Sequence, residues 1–201
     1  MGHAVGVVKD EKVNAMSDAK YPWMKQGVRV PSSVIAEIEA HAISASSQGL
    51  ARSDGDGVEG EEACGVIEGP ASDALLADEA TRWPNLANKH HALDPESYPR
   101  TGKTYFLIDP LKFNRAMSAA EKGDRPIKVL YHSHLDCGAY FSETDAATAL
   151  AGGDEPAYPL AFLVVSVRTD GHGRGGRVDD RRLFLWDAVT KTFVEGALVV
   201  A

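Results

Sequence analysis

A strand that ends in two histidines and turns almost at once into a helix leaves a chain few ways to fold. Residues 129–150 read VLYHSHLDCGAYFSETDAATAL. The apolar run of Ile127, Val129 and Leu130 before the histidines predicts a buried strand, and the Ala-rich pattern after Ser142 predicts a helix start. Side chains at i and i+2 share one face of a strand, so His132 and His134 point the same way. Asp145, on the first turn of the new helix, can return as a third ligand. Two imidazole nitrogens and one carboxylate oxygen suit zinc, and three protein ligands leave a fourth position for water, the arrangement of a catalytic rather than a structural site. Ser142 and Asp145 also have the spacing of a capping box, which would hold Asp145 still and so does not compete with the metal reading. Taken alone, His-x-His is a weak signal, which two exposed polar residues at a strand end would explain. The full spacing narrows the choice.

The rest of the chain sets broad bounds. Its 201 residues suffice for one domain with a sizeable core, and 44% hydrophobic with 25% charged residues is the balance of a globular protein. No apolar run reaches the roughly 18 residues of a membrane span, and no signal-peptide pattern opens the sequence. The formal charge of −8 argues against nucleic acid as a partner. Two cysteines, Cys64 and Cys137, make no disulfide framework, so the expected compartment is a reducing cytoplasm. Neither internal repeats nor a second domain is visible.

In chain order, residues 1–26 read as an N-terminal extension in which His3 to Val8 has strand character, and residues 27–201 as the domain. Val28 to Val30 predicts a short strand. A helix follows from Pro31-Ser32-Ser33, with Val34, Ile35, Ile38 and Ala42 on one face. Residues 46–60 are a Gly-, Ser- and Asp-rich loop. Ala74 to Ala80 is a candidate strand, Asn88 to Lys103 a long loop, and Thr104 to Ile108 a strand. Asp109 is the expected cap of a helix through Gly123, with Pro110 at its first position. Glu143 to Ala151 is the helix bearing Asp145. Tyr158 to Arg168 predicts a central strand, residues 170–179 a Gly-rich hairpin loop, and Arg182 to Asp187 and Thr192 to Val200 two final strands. Strands and helices that mix without strict alternation predict an α/β sandwich-like domain on a mixed sheet.

The pattern HSH, seven residues, Ser, two residues, Asp resembles the signature of the JAMM (MPN+) metalloproteases, in their prokaryotic single-domain form. That family also carries an upstream glutamate in a Glu-x-Cys-Gly context, and this chain has Glu62-Ala63-Cys64-Gly65 before Val66 and Ile67. The resemblance covers Pro31 to Ala201. It implies a single MPN domain, cytidine-deaminase-like, with a mixed sheet flanked by helices. By the same resemblance one Zn2+ per chain is held by His132, His134 and Asp145, and Glu62 rather than Glu61 acts as base and acid on the attacking water. Ser142 donates to the oxyanion. One departure stands out: many members have proline directly after the second histidine, where this chain has Leu135.

The resemblance further implies a zinc metallopeptidase or isopeptidase, deubiquitinase-like, that cuts after the Gly-Gly-type tail of a ubiquitin-like or sulfur-carrier protein. The alternative is a non-catalytic MPN scaffold, against which the intact set of Glu62, His132, His134, Ser142 and Asp145 speaks. A zinc base deaminase would need a Pro-Cys-x-x-Cys pair and a His-x-Glu, and the chain has neither. Other residues compete for attention. Spacing selects Asp145 over Asp136, and His90 and His91 read as loop residues. Cys64 reads as a small buried hydrophobe. Cys137 is open between fourth ligand, substrate contact and surface thiol.

Overall fold

The computed structural model describes residues 20–201, so the expectation for His3 to Val8 lies outside the described residues. Among the described residues, five helices and eight strands follow one another as α1 (Trp23–Gln26), β1 (Val28–Val30), α2 (Ser32–Ala45), β2 (Cys64–Glu68), β3 (Glu79–Trp83), α3 (Ala87–Leu93), α4 (Pro110–Lys122), β4 (Ile127–Leu135), α5 (Glu143–Leu150), β5 (Ala161–Thr169), β6 (Gly176–Asp187), β7 (Thr192–Gly196) and β8 (Leu198–Val200). Six strands form one mixed sheet in the order β3-β2-β4-β5-β6-β7, and β1 pairs with β8 apart from it. The mixed sheet flanked by helices is the expected fold class.

β4 and β5 are the one parallel pair of the large sheet. Parallel neighbours cannot be joined by a tight hairpin and need a crossover, usually helical. Here α5 lies in that crossover, which is why a strand, a turn and the helix bearing Asp145 follow one another. Every residue of β4 is buried. Its alternate residues serve two cores. Val129, Tyr131 and Leu135 join the core built with Val34, Ile35, Ile38 and Ala42 of α2. Leu130 joins a second core with Phe106, Phe113, Leu160 and Phe162. The Cys-Gly pair of β2 has a packing reason: a Cβ at Gly65 would fall 2.5 Å from the Tyr131 ring.

Several sequence expectations shift. The strand expected over Ala74 to Ala80 begins only at Glu79, because the turn before it aims the Pro70, Asp73 and Leu76 carbonyls at the Lys128 ammonium. Thr104 to Ile108 is not a strand. Its polar groups are taken by a side chain instead of a ladder: Leu107 N–H donates to Asn85 Oδ1, and Asn85 Nδ2 donates to the Tyr105 carbonyl. The loop expected over Asn88 to Lys103 begins inside α3. Thr192 to Val200 divides at Ala197, whose carbonyl accepts the Val28 N–H as β8 leaves to pair with β1. Within the expected extension, Trp23 and Met24 are buried in the α2-side core.

Candidate metal centre

The β2–β4 register pairs Cys64 with His132, and Ser133 N–H donates to the Ala63 carbonyl. Continued two residues outward, this antiparallel register sets Glu62 opposite His134. Directly opposed residues share a sheet face, so Glu62 lies on the histidine side and Glu61 on the other. Ser133, between the histidines, clinches the register, for its Oγ accepts the Ala63 N–H at 2.8 Å. Asn85 Nδ2 donates to the Glu62 carbonyl and Glu62 N–H to the Gly102 carbonyl. The Glu62 backbone is thereby tied to two segments.

His132, His134 and Asp145 come together as the sequence predicts. Among the described residues they form one group whose donor atoms all lie within 4.8 Å of each other. His132 Nε2 lies 3.2 Å from His134 Nε2 and 3.3 Å from Asp145 Oδ1, and His134 Nε2 lies 3.4 Å from Asp145 Oδ2. Zinc bonds of about 2.0–2.1 Å at tetrahedral angles set donors roughly 3.3–3.4 Å apart, so the two ring nitrogens and the Asp145 carboxylate, one oxygen near each ring, lie at separations close to those around a shared ion. The group fits zinc. Neutral imidazole nitrogens turned toward each other at 3.2 Å repel unless a cation or proton lies between them.

Local structure fixes each ligand. His134 Nδ1 lies 3.1 Å from the Gly138 carbonyl, which selects the tautomer with Nε2 free for a metal. Gly138 is brought there by Asp136, at φ 58°, whose carboxylate accepts the Thr169 N–H and hydroxyl. Asp136 is thus a turn former and not a ligand. The ring of His132 stacks on Phe106 with centroids 4.6 Å apart. Its Nδ1 is buried and has no hydrogen-bond partner among the described residues. The expected capping box is present: Ser142 Oγ accepts the Asp145 N–H, and Asp145 Oδ2 accepts from both the Ser142 N–H and hydroxyl. The Ser142 hydroxyl is thus engaged by Asp145.

The electrostatics separate the carboxylates. Burial pushes Asp145 upward, but His132 and hydrogen bonds from His132, His134 and Ser142 override it and hold the carboxyl well below its usual range. Glu62, only 5% exposed, is raised well above the ordinary range by burial and by Asp145, against the pull of Arg100. Glu61 is half-buried and accepts from Asn88 Nδ2. Burial pushes the Cys64 thiol to about 12, as befits a buried packing residue. Cys137 stands outside the metal-capable group, as do His90 and His91 on α3, where His91 Nδ1 meets the Tyr98 carbonyl. Leu135, in the place of the family proline, is a buried core residue.

Sequence reasoning missed Ser133, Asn85 and Phe106. A hydroxyl between two ligands on an apolar strand was a usable signal for Ser133. Nothing in a lone Asn or Phe marks the other two.

A model for prokaryotic homologs of the JAB domain matches residues 40–182. No curated protein matches the sequence. Among solved structures, a protein from Desulfitobacterium hafniense superposes with a TM-score of 0.52 at 16% identity, covering 87% of this chain and 92% of that one. A protein from Salinibacter ruber gives 0.49 at 18%, over 87% and 92%. A JAB1/MPN domain protein from Archaeoglobus fulgidus gives 0.37 at 12%, over 86% and 98%. The first shares the fold. No helix among the described residues is long and apolar enough to cross a membrane. With the matched region running from within α2 into β6 and holding the whole histidine–aspartate group, this chain belongs to the prokaryotic homologs of the JAB domain.

Proposed function

We propose that the protein is a zinc-dependent amide hydrolase acting after the C-terminal tail of a ubiquitin-like or sulfur-carrier protein. The observation that carries this reading is the convergence of His132, His134 and Asp145 at zinc-like spacing with the buried Glu62 carboxyl beside Asp145. Zinc held by these three residues supplies a Lewis acid and an acidified water. The protein's own groups do the rest. A carboxyl whose pKa is raised well above its ordinary range is suited to take a proton from water and return it to a leaving amine, and Glu62 has that character. Ser142, released from Asp145, supplies a hydroxyl donor for the developing oxyanion, and the first turn of α5 adds its dipole. The Gly-Gly character of the tail comes from the family resemblance.

The test uses the zinc-loaded protein and a ubiquitin-like carrier ending in Gly-Gly, either extended by a peptide or joined to a lysine side chain, with products read by mass spectrometry. Cleavage after the second glycine is expected. Glu62→Gln should keep its zinc and lose at least about 100-fold in rate. A zinc-loaded native protein that leaves both substrates intact would point instead to a binding module.

A further inference from the structure

A cavity of about 290 Å³ opens beside the metal centre, walled by His132 and Asp145 themselves and otherwise almost wholly by apolar side chains, among them Phe106, Leu107, Leu130, Phe141, Ala149 and Leu160. It lies between α4, α5 and the 105–108 segment. Its size is just below the roughly 300–1,000 Å³ of small-molecule sites, which suits one large side chain rather than a whole cofactor. Asp145 is its one carboxylate, and that is committed to the histidines and Ser142. A charged or amide group entering here would lose its water and find little to replace it. The cavity also has a side. Neither Glu62 nor His134 borders it. On the proposed mechanism Glu62 protonates the leaving amine, so the leaving group lies toward Glu62. A chain running from the cavity past His132 therefore presents its acyl portion.

We infer that this cavity is a specificity pocket for one bulky apolar side chain, of the leucine or phenylalanine class, carried on the acyl side of the cleaved amide. The inference rests on the hydrolase reading for its direction and on the cavity for its chemistry. A tail of glycines alone leaves the pocket unfilled. The preferred tail thus combines small residues at the metal with one large apolar residue a short distance before them.

The experiment uses zinc-loaded protein and glycine peptides in which a single leucine moves through the four positions before the scissile bond. One position should raise kcat/KM at least about 10-fold over the all-glycine peptide, the discrimination that an apolar pocket supplies. Aspartate at that position should abolish the gain. Ala149→Phe, which fills the cavity, should cut the leucine preference below about threefold. Equal rates for every position, or a preference untouched by the filled cavity, would overturn the inference. A readout free of turnover separates it from the hydrolase reading. With methyl-labelled protein, a leucine peptide whose scissile amide is replaced by a non-cleavable linkage should shift the Leu107, Ile108 and Leu160 methyl signals. Shifts without any hydrolysis would remove the hydrolase and keep the pocket; absent shifts would remove the pocket.

Discussion

β4 carries buried polar groups at both ends, and the two sets differ in how they are completed. At its start, Lys128 is fully buried, and its ammonium donates to the carbonyls of Pro70 at 3.0 Å and of Asp73 and Leu76 at 2.7 Å. Burial draws its pKa to about 8, so it keeps its proton at neutral pH. Three donors meet three acceptors within the chain, and nothing further is called for. At its end, His132 and His134 turn their Nε2 atoms toward each other and toward Asp145. Two ring nitrogens and a carboxylate converge on one point, at spacings that a shared cation would suit. A buried polar cluster that closes on itself belongs to the fold; one that converges without closing belongs to binding.

Each end can be broken separately. Lys128→Met leaves three carbonyls without their donor and should lower the unfolding free energy by about 4 kcal/mol, read by urea melts. Zinc per folded chain should stay the same. A loss under about 1 kcal/mol would mean that the lysine is not the structural element described.

Glu62 gives the next effect. Its native pKa lies above its unfolded value, so the native state binds the extra proton and the metal-free protein should lose stability as pH rises from about 4.3 through the native pKa. The loss amounts to about 1.4 kcal/mol for each pH unit between the two pKa values. Glu62→Gln should flatten that stretch of the stability–pH curve, and superimposable curves would place the carboxyl in solvent. Ser142→Ala should cost about 1 kcal/mol through the lost cap. It should also weaken zinc about 10-fold by freeing Asp145, which competition with a chelator would measure; unchanged affinity would deny that the hydroxyl holds the ligand. Smallest of all, Glu61→Gln should change stability and rate by no more than about 0.5 kcal/mol. A larger loss would exchange the roles of the two glutamates.

How much of this was legible in the sequence follows from how local each feature is. His132, His134, Ser142 and Asp145 lie on one strand–turn–helix, and local periodicity places them. Asp109 and Pro110 start α4 as expected because a cap is a short-range device. Lys128 interrupts an apolar run, and nothing near it in sequence marks it as buried, because the carbonyls that receive it belong to the distant 70–76 turn. The error at Thr104 to Ile108 has the same origin: the apolar pattern suits a strand, but Asn85, some twenty residues away, takes its hydrogen bonds. The cavity is invisible to sequence, since its walls come from α4, α5, two strands and the 105–108 segment at once. Glu62 stood apart from Glu61 only through the family pattern, and the β2–β4 register supplies the physical reason.

The most direct measurement is zinc per chain by elemental analysis, on the native protein and on His132→Ala purified and supplied with metal alike. The account predicts about one zinc in the native protein and little in the variant. No zinc in either, or equal zinc in both, would contradict a metal centre at the end of β4.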